Sequence, residues 1–489
     1  MCEKRRKHIR HVPHLKRFRQ GENLSPLLFA IYVNDLKHHM AMYYDGLPTV
    51  KEHFVNELNN SDMWKDLFVL LYADDTIILV ESEDQLQKSL NGLHDYCKKW
   101  YLKVNIKKTK IMVFSRGVIR KKPKLVYDNC MLEVCNEFVY LGVKFFCTGS
   151  FKCAIQSLSQ QANNAMFSLL AKARKLSLSM DTTIHLFDST VLPILLYGCE
   201  VWGHLDYKAA NTLYLRFFKI LLGLKKSTNS CMVLGELGRL PLSYIINKRM
   251  INFWAKLVHD DKNKISAMVL RCISSMKTSS NWQSPWLCHI HKLLDHAGLS
   301  YIWHSPKTVP VNYLQKVYSL RSADIAKQKW KNDVSESSRC SIYKLTEKDL
   351  IFEEYLTNLP WSVAKQLCRL RTSNHRLPIE IGRYINIPRT NRFCLLCNDK
   401  VIGDEYHYVR IGTHFPGIRE KCLDIDPQLI KQTVSKNILL THNRNMPTQL
   451  GNFKKKISAV LNLKCCTNML KIKYICKNYR YELCTILQL

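Results

Sequence analysis

Residues 70–80 read LLYADDTIILV and place two adjacent carboxylates, Asp74 and Asp75, inside an otherwise apolar, β-branched run. The flanking segments favour two short strands, so the aspartates are predicted to lie in the turn of a hairpin. Two like charges side by side repel each other, and a bound cation relieves that repulsion. Two interpretations stand at this point. The pair belongs either to a solvated turn or to the rim of a sheet where Mg²⁺ binds carboxylate oxygens.

The charge balance of the chain points to an anionic partner. Among 489 residues, Lys and Arg number 73 against 40 Asp and Glu, which gives a formal net charge of +33. Nucleic acid is the favoured partner, because its phosphates release counterions when basic side chains neutralise them, and an acidic membrane surface is the weaker alternative. Hydrophobic residues make up 46% and charged residues 23% of the chain. This is ordinary globular usage and excludes global disorder.

Cysteine usage and the N-terminal segment predict an intracellular protein of the nucleus or the cytoplasm. The 19 cysteines are scattered and odd in number, and residues 1–20 are basic without the apolar core of a secretory signal. The apolar run around Leu67–Val80 is interrupted by the aspartates and is shorter than the roughly 18 residues that span a bilayer. We therefore expect no membrane segment.

Local patterns predict an α+β fold. Residues 20–149 combine helical and strand patterns, which indicates a small antiparallel sheet with helices on one face. The predicted helices are LSPLLFAIYVNDLKHHM (24–40), with Ser25 and Pro26 at its start, and EDQLQKSLNGLHDYCKKWYL (83–102). The predicted strands are FVLLY (68–72), TIILV (76–80), KIMVF (110–114) and FVYLGVKFF (138–146).

The remainder of the chain is mainly helical by pattern. A basic segment (1–19) precedes the α+β part. After it we predict a basic helical region (150–265), a helical connector (266–375), a loop-rich region that holds a Cys/His cluster (376–425) and a basic tail (426–489).

Four segments in this order resemble the later palm motifs of the reverse transcriptase of non-LTR (LINE-type) retrotransposons. They are RQGENLSPLLFAIYVNDL (19–36), LLYADD (70–75), WYLKVNIKKTKIMVFS (100–115) and FVYLGVKFF (138–146). The resemblance implies a partial polymerase palm followed by a helical thumb. It also implies an RNA-directed DNA polymerase that uses Mg²⁺ or Mn²⁺, an RNA template, a DNA primer and dNTPs.

The resemblance also implies a role for each matching residue. Asp74 and Asp75 match the catalytic metal-binding aspartates, where two divalent ions assist nucleotidyl transfer. The residues implied in template and nucleotide binding are Gln20, Gly21, Ser25, Pro26, Tyr72, Lys108 and Lys110. Those implied at the primer end are Tyr140, Leu141 and Gly142. Other interpretations stay open, namely a turn glycine at position 21, a solvated strand face for the lysines and a core aromatic at position 140.

One departure from the family limits the expected activity. Polymerases of this family need a third carboxylate in an earlier motif, and Glu3 is the sole acid before Gln20. We therefore expect a C-terminal, truncated portion of a reverse transcriptase that is catalytically incomplete. The alternative is a non-catalytic nucleic-acid-binding remnant of a transposable element. An unrelated two-metal nuclease is disfavoured.

Two later segments carry further expectations. TTIHLFDSTVLPILLYGCEVWG (182–203) resembles the thumb-side region of the family, and the aromatic and basic residues 214–219 either contact a primer–template duplex or form helix core with solvated lysines. The spacing in RFCLLCNDKVIGDEYHYVRIGTHF (392–415) predicts a zinc knuckle. Its ligands would be Cys394, Cys397 and His407, with His414 or Cys422 in the fourth place, where Gly412 occupies the family's cysteine position. A metal-free loop is the competing interpretation.

Overall fold

The computed structural model describes residues 25–43, 69–72, 75–115, 123–260, 266–274 without 268 and 272, 284–337, 343–346, 349–396, 400–405 and 407–408. The chain forms two compact units. The first comprises residues 1–154, 253–295 and 300–311, and the second comprises residues 155–252, 296–299 and 312–489.

The N-terminal part mixes short helices with strand pairs. Its elements are α1 (Ser25–Tyr32), α2 (Leu36–Met40), β1 (Val69–Tyr72), β2 (Asp75–Ile78), α3 (Glu83–Lys99), β3 (Lys110–Ile111), β4 (Val126–Tyr127), β5 (Cys130–Met131), β6 (Glu133–Val134), β7 (Glu137–Tyr140) and β8 (Val143–Phe146). This mixture agrees with the predicted α+β class.

The helix predicted over residues 24–40 is interrupted. Residues 33–35 form a turn between α1 and α2, in which the amides of Asn34 and Leu36 bond to carbonyls three residues back. The Asp35 carboxylate accepts a hydrogen bond from the Tyr96 hydroxyl at 2.5 Å. Asn and Asp favour such turns over helix interiors, and a tertiary contact stabilises the break, so the prediction of one continuous helix was wrong here.

Helix α3 begins and ends at recognisable capping residues. The Ser82 hydroxyl accepts a hydrogen bond from the Gln85 amide at 3.3 Å, and acidic residues occupy the first turn, where the helix dipole favours them. At the other end, Tyr101 has a positive φ of 55°, and the Leu102 amide bonds back to the Cys97 carbonyl at 2.8 Å. This left-handed closure ends the helix at Lys99, three residues before the end of the predicted segment.

The described strands form four separate two-stranded pairs rather than the single small sheet that was predicted. β1–β2, β4–β5 and β7–β8 are antiparallel, and β3–β6 is parallel. The segment 138–146 is a hairpin and not one strand, because Leu141 and Gly142 both have positive φ, 46° and 79°, as a two-residue type I′ turn requires. The KIMVF segment contributes two residues to a ladder, Lys110 and Ile111.

The rest of the described chain is helical. Its α-helices are α4 (Lys152–Lys175), α5 (Met180–Leu186), α6 (Leu192–Leu195), α7 (Cys199–Trp202), α8 (Lys208–Leu222), α9 (Ser230–Glu236), α10 (Leu242–Val258), α11 (Pro285–His296), α12 (Ser300–His304), α13 (Val311–Glu336), α14 (Tyr343–Thr346), α15 (Tyr355–Asn358), α16 (Trp361–Arg371) and α17 (Pro378–Tyr384). The mainly helical character predicted after residue 150 is thus observed. None of the described helices is both long and apolar enough to cross a bilayer.

The aromatic residues of α8 belong to the core of the second unit. Tyr214, Phe217 and Phe218 are 1% exposed or less, and the Phe217 ring stacks on that of Phe187 with 3.9 Å between centroids. The interpretation as helix core therefore holds for the aromatics of residues 214–219. Lys219 turns to the following loop, where its ammonium donates to the Lys226 carbonyl at 2.8 Å.

Candidate functional site

Asp75 begins the second strand of a tight β-hairpin, the element predicted for the aspartate pair. The antiparallel register pairs Val69 with Ile78 and Tyr72 with Asp75, so that two residues join the strands. These two, Ala73 and Asp74, lie outside the described residues. Asp75 is exposed as the first residue of β2. The register thus brings Asp75 to the turn end of the hairpin, where a hard cation would find an oxygen donor of the kind it prefers.

A small core supports this hairpin from one side. Val33, Leu36, Met40 and Tyr96 form a buried cluster, and Ile78 of β2 packs against it. The opposite face of α3 packs on a second cluster that contains Leu90, Ile111, Leu125, Tyr127 and Leu132. Helix α3 is therefore the common support of the aspartate hairpin and of the β3 region.

The helix predicted to face template and nucleotide is present. α1 begins at Ser25, with Pro26 as its second residue, a position in the first turn that proline tolerates. Gln20 and Gly21 lie outside the described residues, and for Ser25, Pro26 and Tyr72 the structure describes the backbone only. The contacts of these five residues with template or nucleotide remain predictions.

Residues 105–110 read NIKKTK and lie within the third of the four segments quoted above. They form a turn organised by Asn105. Its carbonyl accepts hydrogen bonds at 3.0 Å from the amides of Lys108 and Thr109, and its side-chain oxygen accepts a further bond from the Lys108 amide at 3.3 Å. Lys108 is exposed beyond this turn. Lys110, by contrast, pairs in the β3–β6 ladder with Glu133, and the two side chains form an ion pair. Lys108 can therefore bind an anion directly, whereas Lys110 would first have to release Glu133.

The hairpin implied at the primer end presents its turn to solvent. Tyr140 pairs with Val143 across the turn and is half-buried, whereas Leu141 is 36% exposed and Gly142 is exposed. The half-burial of Tyr140 suits either a core or a contact role.

Among the residues that the structure describes, no hydrogen bond or ion pair joins Asp75 to Lys108 or Lys110.

The Cys/His segment forms a small loop around a buried cysteine. Phe393 and Ile402 form an isolated antiparallel bridge, and the Cys394 amide donates to the Val401 carbonyl at 2.8 Å. The Cys394 sulfur lies 3.4 Å from the Leu396 amide and 3.3 Å from the Tyr408 hydroxyl. His407 is also buried. Soft sulfur and imidazole donors fit zinc, and the Leu396 amide donates to the Cys394 sulfur.

The complete zinc-ligand set is not described. Cys397, His414 and Cys422 lie outside the described residues, and no group of three metal-binding side chains occurs within the part that the structure describes. The knuckle therefore stays a prediction.

A buried ion pair beside this loop was missed by sequence reasoning. His375 Nε2 lies 2.7 Å from Glu405 Oε1, and the Ser373 hydroxyl donates to the same oxygen at 3.2 Å. Burial alone would raise the pKa of Glu405, but the hydrogen bond and charge of His375 outweigh it and lower the pKa below its usual range. Glu405 lies in the quoted segment 392–415 and His375 precedes that segment, and neither spacing nor periodicity indicates that they meet. Their contact ties residues 373–375 to the turn that carries His407.

Comparison with known proteins agrees with this picture of the N-terminal part. Residues 3–145 match the family model described as reverse transcriptase (RNA-dependent DNA polymerase). This chain therefore contains a segment of the reverse transcriptase family.

The relatives in that comparison come from mobile elements. The chain is 28% identical over 193 residues to the RNA-directed DNA polymerase from mobile element jockey of Drosophila funebris, a match covering 38% of this chain and 19% of that protein. It is 26% identical over 192 residues to the probable RNA-directed DNA polymerase from transposon BS of Drosophila melanogaster, covering 38% and 19%. It is 25% identical over 195 residues to the retrovirus-related Pol polyprotein from type-1 retrotransposable element R2 of Popillia japonica, covering 38% and 28%.

These matches confirm the predicted resemblance to a LINE-type reverse transcriptase. The chain spans less than a third of the length of these relatives. The similarity therefore shows which polymerases the N-terminal part resembles, and the activity of the chain is a separate question.

Proposed function

We propose that this chain is part of the RNA-directed DNA polymerase of a LINE-type retrotransposon and that Asp74 and Asp75 hold its divalent metal, Mg²⁺ or Mn²⁺. The observation that carries the proposal is the register of the β1–β2 hairpin, with Tyr72 opposite Asp75 and two residues between the strands. Asp75 is exposed at the start of β2, whereas Ile78 of the same strand packs against the apolar cluster. Bound metal ions would stabilise the attacking and leaving oxygens of nucleotidyl transfer.

The neighbouring residues would position the substrates. Lys108, exposed beyond the Asn105 turn, would meet the triphosphate of the incoming dNTP and favour departure of pyrophosphate. Lys110 would have to exchange its Glu133 partner to do the same, so we assign it the lesser role. Template and nucleotide would contact Gln20, Gly21, Ser25, Pro26 and Tyr72, and the primer end would contact the turn at Tyr140, Leu141 and Gly142.

We further propose that residues 1–489 bind primer and template without extending the primer. The Asp74–Asp75 pair matches two of the three carboxylates that the resemblance implies, and we assign no third among these 489 residues. The competing candidate is a remnant that binds nucleic acid but has also lost the metal site. The net charge of +33 favours nucleic-acid binding in either case. The scattered cysteines favour a reducing compartment, the nucleus or the cytoplasm.

Metal binding and primer extension together test these proposals. We expect Mn²⁺, followed by electron paramagnetic resonance, to bind the chain and to bind Asp74→Asn/Asp75→Asn roughly tenfold or more weakly, because the variant lacks both anionic ligands. Asp84→Asn is the single-charge control, since Asp84 is an exposed acid in the first turn of α3, and it should bind Mn²⁺ normally. Equal Mn²⁺ affinity of all three proteins would favour the remnant.

The extension assay tests whether these residues can extend a primer. On an RNA template with a DNA primer, dNTPs and Mg²⁺ or Mn²⁺, we expect no extension by the chain of 489 residues. Template-dependent extension that Asp74→Ala abolishes would contradict the proposed incompleteness and would establish a working polymerase.

The zinc knuckle is proposed for residues 394–407 and has its own test. We expect native mass spectrometry to find about one zinc ion per chain and Cys394→Ser to lose it. Cys130→Ser is the matched control, because Cys130 is an exposed free cysteine in β5 and should keep full zinc content. Zinc well below one equivalent in the unaltered chain would favour the metal-free loop.

A further inference from the structure

Four cations from three separate segments lie around the C-terminal end of α8 in the second unit. They are Arg174 near the end of α4, Lys225 in the loop after α8, and Lys365 and Arg369 on α16, and we call them the basic patch. Arg174 and Lys225 are exposed, and Lys365 and Arg369 are half-buried. Burial and then the charges of Arg174 and Arg369 lower the pKa of Lys365.

Backbone geometry holds the patch together. Helix α8 ends at Gly223, whose φ of 68° is left-handed, and the Gly223 carbonyl accepts a hydrogen bond from Arg369 Nε at 2.7 Å. A Cβ at Gly223 would lie 3.1 Å from Arg369 Nη2 and 3.3 Å from Lys365 Cδ, so the glycine lets α16 approach the loop closely. On the other side of the loop, Lys225 Nζ lies 5.1 Å from the ring centroid of Tyr384, which is 58% exposed.

Within the described part of the second unit, carboxylates pair with other cations. Arg371, two residues beyond Arg369 on α16, bonds to buried Glu236 at 2.8 Å. The remaining ion pairs between carboxylates and Lys or Arg there are Asp188–Arg239, Glu200–Arg249, Asp349–Lys331, Glu353–Arg371 and Glu380–Arg383. No described carboxylate forms an ion pair with the basic patch. Its mutual repulsion is a cost that an external polyanion would relieve.

We propose that the basic patch binds successive backbone phosphates of the nucleic acid that the polymerase holds, an inference that rests on the proposed function. Arg369 uses one guanidinium N–H for the Gly223 carbonyl and keeps others for a phosphate. Because the four cations come from three segments, they offer several separate contacts, as successive backbone phosphates require.

Fluorescence anisotropy with the full chain tests the proposal. The probe is a labelled DNA primer on an RNA template with a single-stranded RNA overhang, titrated at several salt concentrations. For Arg174→Gln/Lys365→Gln we expect roughly tenfold weaker binding at about 0.1 M salt and a slope of log affinity against log salt that is smaller by about 1.8, or about 0.9 per lost phosphate contact. Arg369 is left in place because it also bonds to the Gly223 carbonyl.

Two control variants separate the patch from net charge and from folding. Lys327→Gln/Lys329→Gln removes the same charge from exposed lysines of α13 and should bind within about twofold of the unaltered chain. Arg174→Lys/Lys365→Arg keeps the charges and should bind normally. Equal losses in the patch and α13 variants, or unchanged binding by Arg174→Gln/Lys365→Gln, would overturn the proposal.

Mn²⁺ binding distinguishes failure of this inference from failure of the proposed function. The patch variant should bind Mn²⁺ as the unaltered chain does, because none of its substitutions touches the aspartate hairpin. If Mn²⁺ binding is normal and Arg174→Gln/Lys365→Gln binds the probe as tightly as the unaltered chain does, the basic-patch proposal alone is refuted. If Mn²⁺ does not bind and Arg174→Gln/Lys365→Gln weakens probe binding as expected, the polymerase proposal is refuted and the basic patch stands as a nucleic-acid-binding surface.

Discussion

Replacing Arg371 by methionine is expected to lower the free energy of unfolding of the second unit by about 3–5 kcal/mol. Glu236 is fully buried, and Arg371 Nε donates to its carboxylate at 2.8 Å. The Tyr355 hydroxyl donates to the same carboxylate, and Arg371 Nη2 also lies 3.2 Å from Glu353. Removing the guanidinium leaves a buried carboxylate without its cation, which costs far more than losing a surface ion pair.

The loss should depend on pH in a defined direction. Burial raises the pKa of Glu236 although Arg371 opposes the shift, and loss of Arg371 removes that opposition. The folded variant then binds a proton more readily than the unfolded chain does. Its deficit is therefore largest at neutral pH and shrinks as the pH falls toward the ordinary range of a glutamate.

Chemical denaturation at neutral and mildly acidic pH measures this effect, with hydrogen exchange in α9 and α16 reporting on the second unit. Lys331→Met is the control, because the Lys331–Asp349 pair is 47% and 68% exposed and should contribute less than about 1 kcal/mol. Arg371→Met combined with Glu236→Gln should regain part of the loss, since no charge then remains buried without a partner. Equal stabilities of Arg371→Met and Lys331→Met would show that the buried network is dispensable.

Replacing Tyr96 by alanine is expected to cost about 3–5 kcal/mol in the first unit and to weaken metal binding at the aspartate hairpin. Tyr96 is 1% exposed in the cluster against which Ile78 of β2 packs. Its ring contacts His39 and Trp100, with centroids 5.3 and 6.0 Å away. A cavity at this position removes the support under the strand that begins with Asp75.

Tyr96→Phe separates packing from hydrogen bonding. It keeps the ring but loses the bond to Asp35, an exposed carboxylate that water can solvate instead, so it should cost about 0.5–1.5 kcal/mol. Hydrogen exchange in α3 and Mn²⁺ titration measure both consequences. Unchanged Mn²⁺ affinity in a destabilised Tyr96→Ala chain would show that the hairpin holds its geometry without this cluster.

Sequence reasoning succeeded where the determining interactions are local. The hairpin around Asp75 follows from two apolar strands and a short polar turn, and α3 follows from its apolar period and terminal residues. It failed where a distant residue decides the outcome. The break at residues 33–35 is stabilised by the Tyr96 hydroxyl, and Lys110 is paired with Glu133 across a parallel ladder. In both cases the partner lies too far along the chain for periodicity to show the contact.

The sequence by itself determined the class of the N-terminal part and the identity of its adjacent carboxylates, because those features reside in short segments whose order and spacing are visible directly. The tertiary structure alone decided which charges share a neighbourhood. Arg371 bonds to buried Glu236, whereas Lys365 and Arg369 on the same helix join Arg174 and Lys225 at the surface. Coulomb energy depends on distance through space, and only the packing of α4, α8 and α16 sets those distances.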